Sequence, residues 1–189
     1  LPDLMRLRAG QLLESLPGWK PVVRLPDSER RDAARDPATR ARLIAGVADA
    51  GNNGIKYWVN NLKDAKGKGE WLGVEYQMID DAKHPDGKRG GSHNSGSVYD
   101  LIDSAADKVL KPIGEWNHSR VVVKDGKIEH FLNGKLSASV DTKSDEWKVA
   151  FAKSKFAKKT GFAPGKGKLM LTEHGDPCWF KNLTIKELE

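Results

Sequence analysis

The run VVVKDGKIEHFLNGKL, Val121 to Leu136, constrains the fold of this chain more than any other stretch. Asp125-Gly126 sits between two apolar-alternating segments, and Asn133-Gly134 follows a few residues later. Asx-Gly pairs accept the left-handed dihedrals of a two-residue hairpin turn, so each pair predicts a tight hairpin. Two hairpins in succession make a three-strand meander, which buries its apolar face only against a second layer. The runs GIKYWV, WLGVEYQMI, KLMLTEH and CWFKNLTIKEL, divided by Gly, Pro, Asn and Asp clusters, supply the strands for that layer. No repeat with a period of roughly 20 to 50 residues recurs, which argues against solenoids and propellers. The expected fold is all-β, a jelly-roll sandwich with short helical inserts. Two short helical or irregular inserts are expected, around Asp100 to Lys108 and around Ser144 to Phe156, the second opening with Ser144 as a helix cap.

A chain of 189 residues is long enough for one domain with a substantial core. No apolar run approaches the roughly 20 residues of a membrane span, so no membrane partner is expected. The formal charge is +6, but the lysines are spread over strands and turns apart from KSKFAKK at Lys153 to Lys159. That scatter gives no nucleic-acid footprint, and no nucleic-acid partner is expected. The single cysteine, Cys178, excludes an internal disulfide and a cysteine-built zinc site. Placed between Pro177 and Trp179, it reads as a small buried filler.

The first fifty residues differ in character. RLPDSERRDAARDPATRARLIAGVADAG, from Arg24 to Gly51, is rich in Arg, Ala and Asp and reads as a helix or an arm rather than as strands. The expected division is therefore an atypical segment over 1–50 and the jelly-roll domain over 51–189.

VEYQMIDDAKHPDG, Val74 to Gly87, carries the densest chemistry. Strand alternation places Glu75 and Gln77 on one face and Val74, Tyr76 and Met78 on the other. Asp80, Asp81 and His84 follow at the turn. His174, closing KLMLTEH, shares its face with Thr172 and Met170 by the same count.

The ordered set GNNGIKYWV, GVEYQMIDDAKHPDG, GSVYDLI, KPIGEWNHSRVVVKDGKIEHFLNG, SDEWKVAFAKSKFAKKTGFAP and GKLMLTEHGDPCWFKNLTIKEL resembles the 3-keto-disaccharide hydrolase domain family. The resemblance covers about Gly51 to Leu188. Before it, LPGWK at Leu16 to Lys20 faintly resembles the family's Gly-Trp pair, whereas the Arg-rich stretch that follows departs from the family pattern. The family implies a concanavalin A-like jelly roll in which one concave sheet holds a sugar-sized groove. It implies a carbohydrate substrate and the cleavage of 3-keto-glycosides. It also implies a secreted or periplasmic location; the sequence starts at Leu1 with no signal-peptide pattern, so this expectation rests on the family alone.

A ketone at C3 acidifies the hydrogen at C2, so a base can remove it and expel the aglycone from C1, and water can add back. This route needs a base, a group that stabilises the enolate and a proton for the leaving group. Within the resemblance, Glu75 and His174 are expected to share base and acid work, with His84 completing the catalytic set as a rim group or metal ligand. Lys155 or a divalent cation is expected to stabilise the enolate. Glu75, Asp81, His84 and His174 offer mixed oxygen and nitrogen donors, but their spacing matches no recognised metal motif, so no metal site is assigned. Tyr57, Tyr99 and Trp116 are candidates to stack on the sugar, with Gln77, Asp81, Asn117 and Asn133 for its hydroxyls. Asn133 is also required by its turn, and Trp147 and Trp179 read as core. His118 and His130 read as ordinary loop or strand residues, and His93 lies in a glycine-rich loop able to cover the groove.

The alternative from a different class is a non-catalytic, lectin-like carbohydrate-binding module, because this fold serves both roles. A third is a basic domain for an acidic polysaccharide or nucleic acid, recognisable by steep salt dependence.

Overall fold

The computed structural model of the chain describes residues 39–63 and 67–186. In chain order its elements are β1 (Thr39–Val47), β2 (Asn52–Lys63), β3 (Gly69–Ile79), β4 (Asn117–Lys124), β5 (Lys127–Leu132), β6 (Lys135–Asp141), α1 (Asp145–Lys153), β7 (Lys168–Glu173) and β8 (Cys178–Lys186). The strands form two antiparallel sheets, one of order β6-β5-β4-β1-β8 and one of order β3-β2-β7. This is the all-β jelly-roll sandwich that the strand pattern implies. No helix among the described residues is long and apolar enough to cross a membrane.

The meander is present as β4, β5 and β6. Asp125 and Gly126 have φ of 51° and 92°, and Asn133 and Gly134 have 49° and 87°. These are the paired positive dihedrals that the sequence of each turn selects. Ser144 accepts a hydrogen bond from the Trp147 N–H at 3.2 Å and so caps α1. Of the helical or irregular alternatives for Asp100 to Lys108, the segment takes the irregular one. Val98 bridges both Tyr76 and Ile102, so this segment folds back against the edge of β3 as a chain of turns.

β1 corrects the reading of the first fifty residues. TRARLIAGV alternates weakly and is rich in Arg and Ala, yet it is a strand between β4 and β8, paired with both. A strand with neighbours on both sides has its backbone hydrogen bonds supplied from each, and that tertiary context overrides a weak side-chain pattern. Residues 1–38, with the LPGWK stretch, lie outside the described residues.

The core lies between the sheets. Ile55, Val74, Tyr76 and Leu171 from the three-stranded sheet meet Val121, Ile128, Val140 and Phe180 from the other. Two polar ties cross this interface. Tyr76 donates its hydroxyl to the Phe131 carbonyl at 3.2 Å, and the Tyr57 hydroxyl meets His130 Nε2 at 2.8 Å. His130 Nδ1 faces the Ser97 carbonyl at 3.0 Å. A carbonyl only accepts, so Nδ1 carries the proton and Nε2 accepts from Tyr57. Tyr57, expected to stack on a sugar, is thus a core residue with 6% of its surface exposed. Alternation puts it on the Ile55 side of β2, and its hydroxyl is already engaged. His130 is a strand residue of β5, fully buried in the core.

Candidate functional site

The outward face of the three-stranded sheet is set by register. Lys56 pairs with both Glu75 and Met170, and Gly54 pairs with both Gln77 and Thr172. Residues directly opposite in antiparallel strands share a face, so these six line one surface while Ile55, Tyr76 and Leu171 fill the core. On a merely solvated face the polar members would be exposed. Glu75 is 5% exposed and Gln77 1%.

The Glu75 carboxylate is held from two sides. The Thr172 hydroxyl donates to Oε1 at 3.0 Å, with the Gly54 carbonyl an alternative acceptor at 3.2 Å. The Lys56 ammonium stands 3.6 Å from Oε2. The side chain lies flat over Gly54, where an added Cβ would collide with Oε1 and approach the carboxyl carbon to 2.9 Å. Glycine is needed there for space.

The loop after β3 builds a wall over this floor. Tyr99 donates its backbone N–H to the Glu75 carbonyl at 3.0 Å and its hydroxyl to Asp86 Oδ2 at 2.7 Å. Arg89 donates to Asp86 Oδ1 at 2.8 Å. Burial opposes ionisation of Asp86, but the hydrogen bonds from Tyr99 and Arg89 outweigh it and hold the carboxyl below its usual range. Burial, followed by the charge of Asp86, pushes the Tyr99 phenol up, so it stays protonated. The Lys155 ammonium lies 4.2 Å from the Tyr99 ring centroid. Lys155 is exposed as a residue, yet lost hydration at its ammonium, assisted by the nearby Lys56 charge, lowers its pKa against the pull of Glu75, Asp100 and Asp86.

Asp100 ties the wall together. Its Oδ2 accepts the Lys155 backbone N–H at 2.8 Å, and its Oδ1 is 3.3 Å from His93 Nε2. That His93 nitrogen, in a residue 8% exposed, has no aligned hydrogen bond, while the ring meets Tyr99 edge-on. His93 is therefore packed into the wall of the site rather than carried on a flexible cover.

The structure brings Glu75, Gln77, Tyr99 and Lys155 together and separates the other expected residues from them. His84 is half-buried in the loop after β3, its Nδ1 accepting the Asp86 backbone N–H at 3.0 Å. Asp81 staples loops instead of facing the groove, taking the Ser95 N–H at 2.7 Å and the Lys108 ammonium at 3.0 Å. His174 follows the last residue of β7 and is exposed, because the strand stops before its alternation reaches it. Trp116 immediately precedes β4 and lies against the five-stranded sheet, near the Cβ direction of Gly46 on β1 and under the Lys181 ammonium of β8. Asn117 and Asn133 pin the 109–118 loop on that same sheet: Asn133 donates to Val109 O and Asn117 Oδ1, and Asn117 accepts from Lys111 N. Among the described residues, no three His, Cys, Asp or Glu side chains converge to hold a metal ion, so the mixed donor set does not assemble.

Lys56, Thr172, Asp86 and Asp100 are the site members that the sequence reading passed over. Thr172 was legible through its alternation with Met170. Lys56 requires knowing which residue of β3 it faces, and Asp86 lies in HPDG, which reads as a turn.

A model of 3-keto-alpha-glucoside-1,2-lyase-like domains matches residues 38–186. A 3-keto-disaccharide hydrolase of Bacteroides thetaiotaomicron is 30% identical over 163 residues, covering 76% of this chain and 56% of the relative. The chain thus spans little more than half the length of that relative. A solved structure from Parabacteroides distasonis, described as a candidate glycosyl hydrolase, is 32% identical with a TM-score of 0.69, over 81% of this chain and 71% of that one. A second from the same organism, at 23% identity and a TM-score of 0.54 over 81% and 79%, shares the fold. A sandwich whose outward small-sheet face carries a buried carboxylate beside Lys56, under a wall that bears Lys155, and that is matched from just before β1 to the end of β8, belongs to the family of 3-keto-alpha-glucoside-1,2-lyase-like domains.

Proposed function

We propose that this domain cleaves 3-keto-glycosides by taking the C2 proton and eliminating the C1 substituent, with water adding back to complete a net hydrolysis. The observation that carries this reading is Glu75, a buried carboxylate between Lys56 and the lysine-bearing wall at Tyr99, at the floor of an outward sheet face. A carboxylate with two ammonium groups nearby is a base beside an electrophile, the pair that proton abstraction next to a ketone requires.

In this mechanism Glu75 removes the C2 hydrogen, and the electron pair moves onto the C3 oxygen. The enolate oxygen is stabilised by an ammonium, for which Lys155 is the assigned group. Collapse of the enolate forms the C1=C2 bond and breaks the C1–O bond, and the departing oxygen takes a proton. Water then adds its oxygen to C1 and a proton to C2. Tyr99, kept neutral and bonded to Asp86, orients the wall and does not exchange its own proton.

The test is aglycone release from a chromogenic 3-keto-glucoside beside its unoxidised parent, with and without chelator. Release from the keto-sugar alone, lost in Glu75→Gln, is the expected result. No release from either sugar, with sugar binding retained, would make the domain a lectin-like module.

A further inference from the structure

Asp100 stands at the tip of the turn in which Val98 bridges Ile102, and its backbone is left-handed, with φ of 58°. That conformation is uncommon outside glycine, which enters it at no steric cost. Aspartate tolerates it where its short side chain has something to bond. The partner here is distant in sequence. Oδ2 accepts the backbone N–H of Lys155 at 2.8 Å, from a residue 55 positions further along the chain. The other oxygen, Oδ1, backs onto the buried His93 ring, 3.3 Å from Nε2.

Tyr99, the residue before it, reaches the same lysine from the other side. The Lys155 ammonium lies 4.2 Å from the Tyr99 ring centroid, so two consecutive residues hold Lys155, one by its main chain and one by its charged end. Tyr99 also donates its backbone N–H to the Glu75 carbonyl at 3.0 Å. A two-residue bridge with a hydrogen bond at each end thus joins the strand of the carboxylate to the lysine. The charges that face the Lys155 ammonium are Glu75 on β3, Lys56 on β2, and Asp86 and Asp100 in the loop after β3. The Tyr99 phenol stays protonated and adds none.

We propose that Asp100 is a positioning residue: it fixes where the Lys155 ammonium stands relative to the Glu75 carboxylate, and its own charge favours the ammonium at that place. The role rests on the keto-glycoside reading in one respect, that the enolate which Lys155 meets is formed by Glu75. Glycine would suit the turn better, so the aspartate is explained by what its carboxylate holds.

Two variants separate position from charge. Asp100→Asn keeps an acceptor and the tolerance of a left-handed backbone, and loses the charge. Asp100→Gly keeps the backbone and loses the side chain. Isotope-labelled lysine reports the titration of Lys155 by NMR, its signal identified by its absence in Lys155→Arg. In Asp100→Asn the ammonium stays in place with one anion fewer, so its pKa should fall below that of the natural protein. In Asp100→Gly the lysine is freed into water, so its pKa should rise toward the ordinary 10.5. Aglycone release from a chromogenic 3-keto-glucoside should lose its alkaline limb at lower pH in Asp100→Asn, and should fall about 10- to 100-fold at every pH in Asp100→Gly. Lys155 shifts of the same sign and size in both variants would overturn the positioning role, as would full kcat in Asp100→Gly. Opposite shifts in a protein that releases no aglycone would leave Asp100 holding Lys155 and remove the keto-glycoside reading.

Discussion

At the scale of single residues, Gly54 and Glu75 form one unit. The carboxylate occupies the space that any larger residue at position 54 would need. Gly54 has an ordinary strand conformation, so alanine meets no backbone penalty and the conflict falls on the Glu75 side chain, which can swing aside. Gly54→Ala should therefore lower kcat by about 100-fold, the usual cost of misplacing a reacting group by roughly 1 Å, while the melting temperature changes little. Glu75→Gln keeps the shape and should lose about 100- to 10,000-fold, the range for removing a general base. Release of a chromogenic aglycone and a thermal melt on the same samples separate the two effects. A Gly54→Ala protein with full activity would mean that the carboxylate position seen here is not the working one. Lys155 adds a pH test. Its lowered pKa makes its charge vanish below the ordinary lysine value of 10.5, so the alkaline limb of kcat should move upward or disappear in Lys155→Arg.

At the scale of elements, α1 and the segment after it decide where Lys155 stands. Ser144 caps the helix, and Asp100 holds the Lys155 backbone beyond its far end. Ser144→Ala should cost about 1 kcal/mol, which lowers the melting temperature by about 2–4 °C for a domain of this size. The same scale shows what the sequence revealed. The meander was legible because Asp125-Gly126 and Asn133-Gly134 encode their turns locally, and α1 because its cap is local too. The face of β3 was legible because Glu75 and Gln77 alternate with apolar residues. β1 was not, since its strand character comes from β4 and β8 on either side of it rather than from TRARLIAGV itself. His174 was placed by extending an alternation past the end of β7, and Trp116, Asn117 and Asn133 were assigned to a groove that belongs to the other sheet. Which sheet a strand joins is a long-range fact, and spacing along the chain does not carry it.

At the scale of the whole molecule, the two sheets are joined through a buried histidine that stays neutral. His130 on β5 accepts from Tyr57 on β2 and donates to the Ser97 carbonyl, so three parts of the sandwich meet at one imidazole. Burial lowers its pKa from 6.5 to about 4, and the backbone carbonyl of Ser97 only partly offsets this. In the unfolded chain the ring takes its proton near pH 6.5, whereas in the folded protein it does so only near pH 4. Between those values the unfolded state binds more protons, so stability must fall as pH falls through that window. A shift of this size corresponds to about 3 kcal/mol of stability, fully present above the upper value and lost below the lower one. Asp80 and Asp86, both held below their ordinary value of 3.8, add losses of the same sign in more acid solution. Urea unfolding at intervals from pH 7.5 to 4 should trace this decline, and His130→Gln, whatever its own cost, should flatten it. A wild-type curve that is level from pH 6.5 to 4.5 would mean that the imidazole is protonated in the folded state, with Tyr57 and Ser97 rearranged to receive the charge.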